Sequence, residues 1–438
     1  MRGVVAIVGR PNVGKSSLFN RIVGEKMSIT DDASGITRDR IYAKASWLNQ
    51  DFRIIDTGGI ILKDEPFSKE IRAQALLAVD EADVIVMVVN VRSSVTVEDE
   101  DVFNILVKSG KPVIVACNKV DDNSYVDTMY DFYTMGCTEV IPVSALHGIG
   151  VGDLLDRVVE LLPPERKSPF DEDTIKFSLI GQPNVGKSTL ANAILGEERN
   201  IVSNIPGTTR DAIDTMFTRN SKKYVVIDTA GIRKQGKIYE NAEKYSVLRA
   251  LSAIERSDIC ILVLDGSLEL NEQDKRVAGY AREDNKAIII VVNKWDIVDK
   301  DDKTMQKMTE KIKAQMPFLD FAPIIFLSAK NKSRINVLLD EIDKVYENFN
   351  RRVSTSVLND VLLDALIINQ PPVFNGNRLS INYATQDDVC PPSIVLFVND
   401  ERHMHFSYQR YLENRLRDTF EFSGTPIKFT LRKKNSDF

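Results

Sequence analysis

The sequence predicts an α/β protein in which two similar domains, each a doubly wound and mostly parallel sheet, precede a smaller α+β domain. Three observations support this prediction: a long internal repeat, the alternation of short apolar runs with helical patterns in both halves, and a last segment without an earlier counterpart. The length of 438 residues agrees with it, since a chain of this size usually forms about two to four domains.

Five short motifs occur twice, in the same order, and define the repeat. Three pairs are separated by 172 residues: Gly9-Arg-Pro-Asn-Val-Gly-Lys-Ser with Gly181-Gln-Pro-Asn-Val-Gly-Lys-Ser, Ser34-Gly-Ile-Thr-Arg-Asp with Pro206-Gly-Thr-Thr-Arg-Asp, and Asp56-Thr-Gly-Gly with Asp228-Thr-Ala-Gly. Asn118-Lys-Val-Asp and Ser144-Ala recur as Asn293-Lys-Trp-Asp and Ser328-Ala, 175 and 184 residues later. The fixed order and nearly constant spacing indicate a duplicated domain.

Composition shifts place the domain boundaries. The segment from Pro163 to Thr174 is rich in proline and charge, which favours a linker, and an amphipathic run ends shortly before Arg351. We therefore predict a first domain over 1–165, a linker over 166–174, a second domain over 175–350 and a third domain over 351–438.

Continuous apolar runs rich in Val and Ile mark the strands of the repeated domain. Because they lack the polar–apolar alternation of a half-exposed strand, they favour a parallel sheet that is covered on both faces. In the first half the expected strands are Val4–Val8, Phe52–Ile55, Val84–Val89, Pro112–Ala116 and Glu139–Val143, with helices over Lys15–Val23 and Leu76–Glu81. The third domain is expected to contain a helix over Ser354–Ile368, strands over Arg378–Tyr383 and Ser393–Val398, a helix over Tyr408–Thr419 and a strand over Ile427–Leu431.

The composition excludes several classes of protein. Fifty-seven Lys and Arg residues against 63 Asp and Glu give a net charge of −6, so no overall basic field indicates nucleic-acid binding. The four cysteines have no CxxC spacing, which argues against a zinc site or a disulfide framework and favours a reducing, cytoplasmic compartment. The apolar runs fall far short of the roughly 20 residues of a membrane span, so we expect no membrane association.

The first repeated motif has the spacing of a phosphate-binding P-loop, and in both halves it follows an expected strand and opens an expected helix. Glycines in such a loop allow the backbone amides to surround phosphates closely. Lys15 and Lys187 are the expected catalytic side chains on the β- and γ-phosphates, and Ser16 and Ser188 are the expected Mg²⁺ ligands. The other phosphate-binding residues of the two loops are Gly9, Asn12, Val13, Gly14, Gly181, Asn184, Val185 and Gly186.

A carboxylate ends a hydrophobic strand in each half. Asp56 and Asp228 lie where strand ends meet the ligand edge of an open sheet, which suits a residue that holds Mg²⁺ directly or through water. A turn aspartate is the alternative for either residue taken alone, but the upstream P-loop favours the metal role. Gly59 and Gly231 are expected to bring a backbone amide to the γ-phosphate.

The Asn-Lys-x-Asp motifs predict recognition of guanine. Asp121 and Asp296 each follow a strand, and a carboxylate there accepts hydrogen bonds from the ring N–H and the exocyclic amine of guanine, a donor pair that adenine lacks. The expected guanine-binding residues are Asn118, Lys119, Asp121, Ser144 and Ala145 in the first half and Asn293, Lys294, Asp296, Ser328 and Ala329 in the second. We therefore predict two sites for GTP and GDP.

Together these motifs resemble those of the translation-factor-like GTPases, and the tandem arrangement with a short third domain resembles the Der (EngA) family over essentially the whole chain. The resemblance implies two P-loop GTPase domains, a KH-like C-terminal domain, and a switch in assembly of the large ribosomal subunit, with that subunit or its RNA as the partner. It also implies that Thr37 and Thr209 are switch I threonines that close over Mg²⁺ and the γ-phosphate. We expect the protein to be a monomer.

The position after the switch II glycine holds Ile60 and Ile232, where Ras-type GTPases have a glutamine that orients the attacking water. We therefore expect slow basal hydrolysis. The family resemblance implies that K⁺ stimulates hydrolysis and is bound partly by Asn12 and Asn184. The alternative is that these asparagines serve only the conformation of the loop.

The third domain gives mixed indications about RNA. It lacks the GxxG loop by which standard KH modules clamp RNA, since Asn375-Gly-Asn-Arg contains one glycine. Its 11 basic and 10 acidic residues nearly cancel, but Lys428, Arg432, Lys433 and Lys434 lie close together near the C-terminus. Contact with RNA and docking against a GTPase half both stay open.

Other functions stay open at this level. In a nucleotide-gated RNA- or protein-binding module, hydrolysis would be incidental, and the missing glutamine favours this alternative. A metabolic kinase or ATPase conflicts with both guanine motifs. A tRNA-modification GTPase would require a further cofactor-binding domain, for which no sequence is left.

Overall fold

The structure, a computed structural model, forms two compact units, Met1–Pro169 and Phe170–Phe438. The first unit contains the first repeated domain, and the second contains the second repeated domain together with the C-terminal domain. The structure describes residues 3–24, 42–59, 75–76, 78–80, 82–122, 125–164, 170–171, 173–197, 203–206, 213–229, 250–374 and 376–433.

The first repeated domain is built on a six-stranded sheet. Its helices and strands are β1 (Val4–Val8), α1 (Lys15–Gly24), β2 (Tyr42–Trp47), β3 (Gln50–Asp56), β4 (Val84–Asn90), α2 (Val97–Lys108), β5 (Val113–Asn118), α3 (Val126–Met129), β6 (Val140–Val143) and α4 (Val151–Leu161). The strand order is β2-β3-β1-β4-β5-β6, and each neighbouring pair is parallel except β2 with β3.

The second repeated domain has a seven-stranded sheet of the same design. Its helices and strands are β7 (Ile175–Ile180), α5 (Lys187–Glu197), β8 (Ser203–Pro206), β9 (Ile213–Arg219), β10 (Lys222–Ile227), β11 (Ile259–Asp265), α6 (Glu272–Glu283), β12 (Ala287–Asn293), α7 (Thr304–Gln315), β13 (Ile324–Phe326) and α8 (Ile335–Phe349). The order is β13-β12-β11-β7-β10-β9-β8, and β8, β9 and β10 pair in antiparallel fashion.

The doubly wound, mostly parallel sheet predicted for each half is confirmed. The expected strands of the first half agree with the observed ones to within two residues at each end. The antiparallel strands β2, β8 and β9 were not among the expected strands. Their sequences lack the Val- and Ile-rich run on which the prediction of the parallel strands rested.

Both faces of each sheet are covered, as continuous hydrophobicity predicts. In β11, Ile259 and Ile261 pack in a cluster that includes residues of α8, whereas Cys260 and Leu262 pack in a second cluster with residues of α6 and α7. All residues of β12 are buried. Among the residues that the structure describes, no helix combines the length and apolar character needed to cross a bilayer.

The strand order predicts where each sheet binds its ligand. β1 lies between β3 and β4, and β7 lies between β10 and β11, so the direction of winding reverses at these two strands. The loops that leave the carboxyl ends of strands at such a reversal diverge and leave a crevice. Each P-loop leaves the sheet at this crevice.

The C-terminal domain packs two helices on a three-stranded sheet. Its helices and strands are α9 (Thr355–Ile368), β14 (Val373–Phe374), β15 (Asn377–Arg378), β16 (Ile381–Asp388), β17 (Ser393–Val398), α10 (Phe406–Phe420) and β18 (Lys428–Lys433). The strand expected over Arg378–Tyr383 is wrong at both ends, because Arg378 belongs to a separate two-stranded hairpin with β14 and the observed strand β16 continues to Asp388. Between the two strands the amide of Ser380 donates to the Asn399 side chain at 2.9 Å, which ends the hairpin pairing.

The C-terminal domain docks on the second repeated domain through main-chain hydrogen bonds. The Ile288 amide at β12 donates to the Gly424 carbonyl at 2.8 Å, and the Gly424 amide donates to the Phe321 carbonyl at 2.8 Å. The Arg417 guanidinium lies 4.7 Å from the centre of the Phe321 ring. Docking against one of the repeated domains, one of the two alternatives for the C-terminal domain, is therefore observed.

Gly424→Ala is expected to loosen this contact. Gly424 has a φ of +73°, and a Cβ there would lie 2.4 Å from Cγ2 of Val345. The left-handed backbone costs an L-residue about 1–2 kcal/mol, and the clash adds to that cost. Gly376→Ala is the matched control, because Gly376 has a φ of +79° with no atom within 4 Å of a Cβ. Hydrogen exchange of the Ile288 amide should accelerate only in the Gly424 variant, and equal exchange in both variants would contradict the prediction.

Candidate nucleotide-binding sites

In both repeated domains the P-loop connects a central strand to the helix that follows it. β1 ends at Val8 and α1 begins at Lys15, while β7 ends at Ile180 and α5 begins at Lys187. The first amides of each helix have no partner within the helix and face the loop, where they attract anions. The loop residues predicted to bind phosphate therefore lie together at a helix N-terminus in both halves.

Glycine is required at two positions of each loop. Gly9 has a φ of +152°, and a Cβ there would lie 2.3 Å from the carbonyl oxygen of Val88. Gly14 has a φ of +99°, and a Cβ there would lie 2.2 Å from Nδ2 of Asn118. The second loop repeats both contacts with the equivalent residues. The backbone therefore packs too closely against its neighbours to carry a side chain at these places.

The two loop asparagines have a left-handed backbone. Asn12 and Asn184 have φ of 64° and 65°, a region that asparagine tolerates better than most residues. Both residues are exposed, and the Asn12 carbonyl accepts a hydrogen bond from Lys119 Nζ at 2.9 Å. The loop conformation therefore accounts for asparagine here, whether or not its side chain also binds K⁺.

The P-loop lysines fold back onto their own loops. Lys15 Nζ donates to the carbonyl oxygens of the first two loop residues at 2.7 and 2.8 Å, and Lys187 Nζ makes the same two bonds at 2.8 and 2.5 Å. Burial lowers the pKa of Lys187 to about 8, while the attraction of Asp274 opposes this shift. The loop carbonyls thus hold each ammonium group at the mouth of the anion site.

In the first domain the predicted magnesium ligands lie beside this lysine. Asp56 is 4% exposed, and its Oδ1 accepts a hydrogen bond from the Gly58 amide at 2.9 Å. A Cβ on Gly58 would lie 2.6 Å from Cε of Lys15 and 3.1 Å from that Oδ1, so the three residues converge. Ser16 is exposed in the first turn of α1. A hydroxyl and a carboxylate next to phosphate oxygens form a donor set that fits Mg²⁺.

The equivalent carboxylate of the second domain is held differently. β10 ends at Ile227, and Asp228 follows it with a φ of +58°. The Asp228 amide donates to Oδ1 of Asp214 at 3.0 Å, and the buried Asp214 forms an ion pair with Arg256. Ser188 is half-buried at the start of α5. The same pair of donors is therefore present in the second half, with the carboxylate on a different backbone conformation.

The asparagines of the guanine motifs join three segments of each site. Asn118 is 2% exposed; its Nδ2 donates to the Val13 carbonyl at 2.8 Å, and its Oδ1 accepts from the Ala145 amide at 3.0 Å. Asn293 makes the corresponding bonds with the second P-loop and with the Ala329 amide, at 2.9 and 3.0 Å. Both asparagines therefore hold the P-loop against the Ser-Ala segment.

The serines of the Ser-Ala segments hold the carboxylates predicted to recognise guanine. Ser144 Oγ donates to Oδ1 of Asp121 at 2.7 Å. This bond is the main cause that lowers the pKa of Asp121, and a bond from Ser328 likewise lowers the pKa of Asp296. Both carboxylates are therefore ionised acceptors at neutral pH, as recognition of the guanine donor pair requires.

One charge pair distinguishes the first guanine site from the second. Arg92 Nη2 lies 2.5 Å from Oδ2 of Asp121, while the equivalent position in the second half is Ser267. Ser267 bonds instead to Asp265, which also binds Lys294 Nζ at 2.6 Å. A guanine base bound at Asp121 would share this carboxylate with Arg92, whereas the position equivalent to Arg92 in the second half holds no arginine.

The sequence analysis missed a buried carboxylate behind each P-loop. Asp99 is fully buried and forms an ion pair with Arg10, the second loop residue, and Asp274 is 4% exposed at the equivalent place. Both belong to capping boxes, with Thr96 and Asn271 as the N-cap residues. The capping pattern was visible in the sequence, but it predicts only the start of a helix.

Several predicted residues cannot be placed. Thr37, Thr209 and Gly231 lie outside the described residues, as do Ile60 and Ile232. Gly59 ends the short 3₁₀ helix Thr57–Gly59, directly after β3.

Side chains on the open face of the C-terminal sheet form a row across its three strands. The strand register pairs Tyr383 with Phe397 and Phe397 with Arg432. The centres of the two aromatic rings are 5.9 Å apart, and Tyr383 is 47% exposed. Arg432 and Lys433 are exposed on the edge strand β18, and Lys434 lies outside the described residues. An arginine therefore stands beside an accessible aromatic surface.

Comparison with known proteins identifies the family. A family model described as "50S ribosome-binding GTPase" matches residues 4–119 and 176–294, and one described as "KH-domain-like of EngA bacterial GTPase enzymes, C-terminal" matches 352–432. The chain is 58% identical over 432 residues to the GTPase Der of Halalkalibacterium halodurans and 57% identical over 432 residues to that of Bacillus cytotoxicus, with 99% of each chain covered. The chain therefore belongs to the Der (EngA) family of GTPases.

Proposed function

We propose that the chain binds one GTP in each repeated domain, hydrolyses it, and acts as a switch in assembly of the large ribosomal subunit. Two nucleotide sites are supported by one arrangement of residues that occurs in both repeated domains. In each half a P-loop lysine lies at the sheet crevice, and a buried asparagine joins the P-loop to the Ser-Ala segment beside an ionised aspartate.

The residues have separate tasks in this proposal. When GTP binds, Nζ of Lys15 and of Lys187 leaves the loop carbonyls and binds the β- and γ-phosphates. The loop amides bind the remaining phosphate oxygens. Asp121 and Asp296 accept from guanine, and Asn118 and Asn293 act as positioning residues. Mg²⁺, held by Ser16 with Asp56 and by Ser188 with Asp228, would neutralise charge on the phosphate oxygens.

The remaining parts of the proposal rest on the family. Thr37 and Thr209 close over Mg²⁺ and the γ-phosphate as switch I threonines, and basal hydrolysis is slow because Ile60 and Ile232 cannot orient water. The matched family model describes 50S ribosome-binding GTPases, which supports the large subunit as the partner. We place the protein in the cytoplasm, as a monomer. An alternative is a nucleotide-gated binding module in which hydrolysis is incidental.

Lys15→Ala and Lys187→Ala are each expected to remove one of two nucleotide equivalents, because each deletes the ammonium group that the first two carbonyls of its P-loop hold. Titration calorimetry of the full chain with GTP should give a stoichiometry of two for the unmodified protein and one for each variant. Lys108→Ala, on an exposed position of α2, is the control and should keep two equivalents. One equivalent in the unmodified protein, or equal competition by ATP, would refute the proposal.

Asn12→Gly and Asn184→Gly test the potassium role. Glycine accepts φ near +65° at no steric cost, so these variants keep the loop conformation and remove only the side-chain amide. If the asparagines bind K⁺, GTP turnover in K⁺ should fall toward the rate in Na⁺, while the rate in Na⁺ stays unchanged. Full stimulation by K⁺ in the double variant would show that asparagine serves only the loop.

Tyr383→Ala is expected to weaken binding to large ribosomal subunits or their RNA, because the aromatic row offers a stacking surface beside Arg432. Stacking on an aromatic side chain contributes about 1–3 kcal/mol per base, which corresponds to roughly 5- to 150-fold in affinity. Phe406→Ala is the control, since Phe406 is 69% exposed but lies outside the row. Sedimentation with subunits in GTP and in GDP measures the effect. Equal loss in both variants would assign the binding to another surface.

A further inference from the structure

A cavity of about 140 Å³ lies behind the second P-loop. Its walls come from the loop, from the segment between β11 and α6, and from α7. Its lining includes the apolar side chains of Leu270, Met308 and Ile312 and the polar side chains of Gln182, Asp274 and Lys294. A single water needs roughly 10–15 Å³ by the same kind of measure, so the cavity is large enough for a side chain.

Asp274 supplies an unpaired acceptor to this cavity. The residue is 4% exposed, and its Oδ2 accepts from the Asn271 amide at 3.3 Å in the capping box. Its Oδ1 is buried and has no hydrogen-bond partner among the described residues. Leaving a buried acceptor unpaired costs about 1–3 kcal/mol, and more for a charged group.

In the first repeated domain, the oxygen equivalent to Oδ1 of Asp274 is paired with an arginine. There the equivalent carboxylate, Asp99, uses Oδ2 for its capping box and binds Arg10 Nε through Oδ1 at 2.8 Å. The second half has Gln182 in place of Arg10, and the Gln182 amide donates to the Asn271 side chain at 2.6 Å. The second domain therefore has the carboxylate but not the guanidinium that pairs with it in the first domain.

The electrostatics agree with a missing cation. Burial raises the pKa of Asp274, and a side-chain hydrogen bond with Gln182, a backbone hydrogen bond with Asn271 and the charge of Lys187 only partly offset this rise. Asp265 and Lys294 also line the cavity. Asp265 cannot pair with Asp274 because both are acids, and Lys294 is already paired with Asp265. A cation that enters the cavity would meet the Asp274 carboxylate and the apolar side chains that also line it.

We propose that this cavity of the second domain receives an arginine side chain from a protein partner, with its guanidinium on Oδ1 of Asp274 and its aliphatic stem against Leu270, Met308 and Ile312. An arginine fits both walls, because its stem is apolar and its planar head donates in a fork to a carboxylate. It restores in trans the contact that Arg10 makes in the first domain.

The docked arginine also acts on the nucleotide site, and this step rests on the proposed function. Asp274 lies close enough to Lys187 to raise its pKa, so a positive charge at Asp274 increases the positive potential at the P-loop. GTP binding at the second site should therefore tighten, and by reciprocity GTP should tighten arginine binding by the same factor.

Direct binding tests the cavity without nucleotide. The probe is Nα-acetyl-arginine methylamide, titrated into the nucleotide-free full chain and followed by NMR chemical shifts of residues that line the cavity. Nα-acetyl-citrulline methylamide, which has the same shape without the charge, should bind at least tenfold more weakly. Equal binding of the two probes, or no binding of the arginine probe, would overturn the proposal.

Two variants locate the probe. Gln182→Arg should abolish probe binding because the introduced guanidinium occupies Asp274, and Asp274→Asn should weaken it at least tenfold. Glu310→Gln, an exposed acid on α7, is the control and should leave probe binding unchanged. Undiminished binding in the Gln182→Arg variant would place the probe elsewhere and refute the site, even if Asp274→Asn fails to fold.

GTP titrations in the Lys15→Ala variant then test the coupling. Saturating arginine probe should tighten GTP binding at the second site severalfold, and the citrulline probe should not. Probe binding with unchanged GTP affinity would refute the coupling and leave the docking site standing. Two GTP sites without any probe binding would refute the inference and leave the proposed function intact.

Discussion

The geometry of each candidate site depends on one buried asparagine. Asn118 and Asn293 each donate to a P-loop carbonyl and accept from the amide of the alanine that follows the guanine-site serine. The three segments leave different strands of the sheet, and no other described side chain joins them in the same way in both halves. A buried amide left unpaired costs about 1–3 kcal/mol, so the two bonds hold the phosphate and guanine ends of the site in one arrangement.

Around this shared framework the two halves differ in their charge pairs. Arg10 and Arg92 neutralise Asp99 and Asp121 in the first domain, whereas Gln182 and Ser267 stand at the equivalent positions of the second. The first site therefore contains arginines that its own carboxylates hold, whereas in the second site Oδ1 of Asp274 has no hydrogen-bond partner among the residues that the structure describes. The two domains thus share their motifs but differ in the charges around them, and the arginine proposed above would supply its charge at the second site.

Much of this organisation was predictable from the order of the residues. The Val- and Ile-rich runs predicted the parallel strands because burial on both faces removes polar positions. The paired motifs predicted both P-loops at the strand ends where the structure has them. Strands β2, β8 and β9 and the hairpin of β14 with β15 escaped prediction. Strands near a sheet edge and short hairpins are set by their neighbours as much as by their own side chains.

The sequence by itself determined the duplication, the fold class of the repeated domains and the motif residues of the two sites, because glycines, strand runs and motif spacing act locally. Only the tertiary structure decided that Asn118 and Asn293 bridge loops, that Arg92 covers Asp121, and that the C-terminal domain docks at Ile288. These contacts join residues far apart in the chain. Their energies depend on burial and on distances that no local pattern specifies.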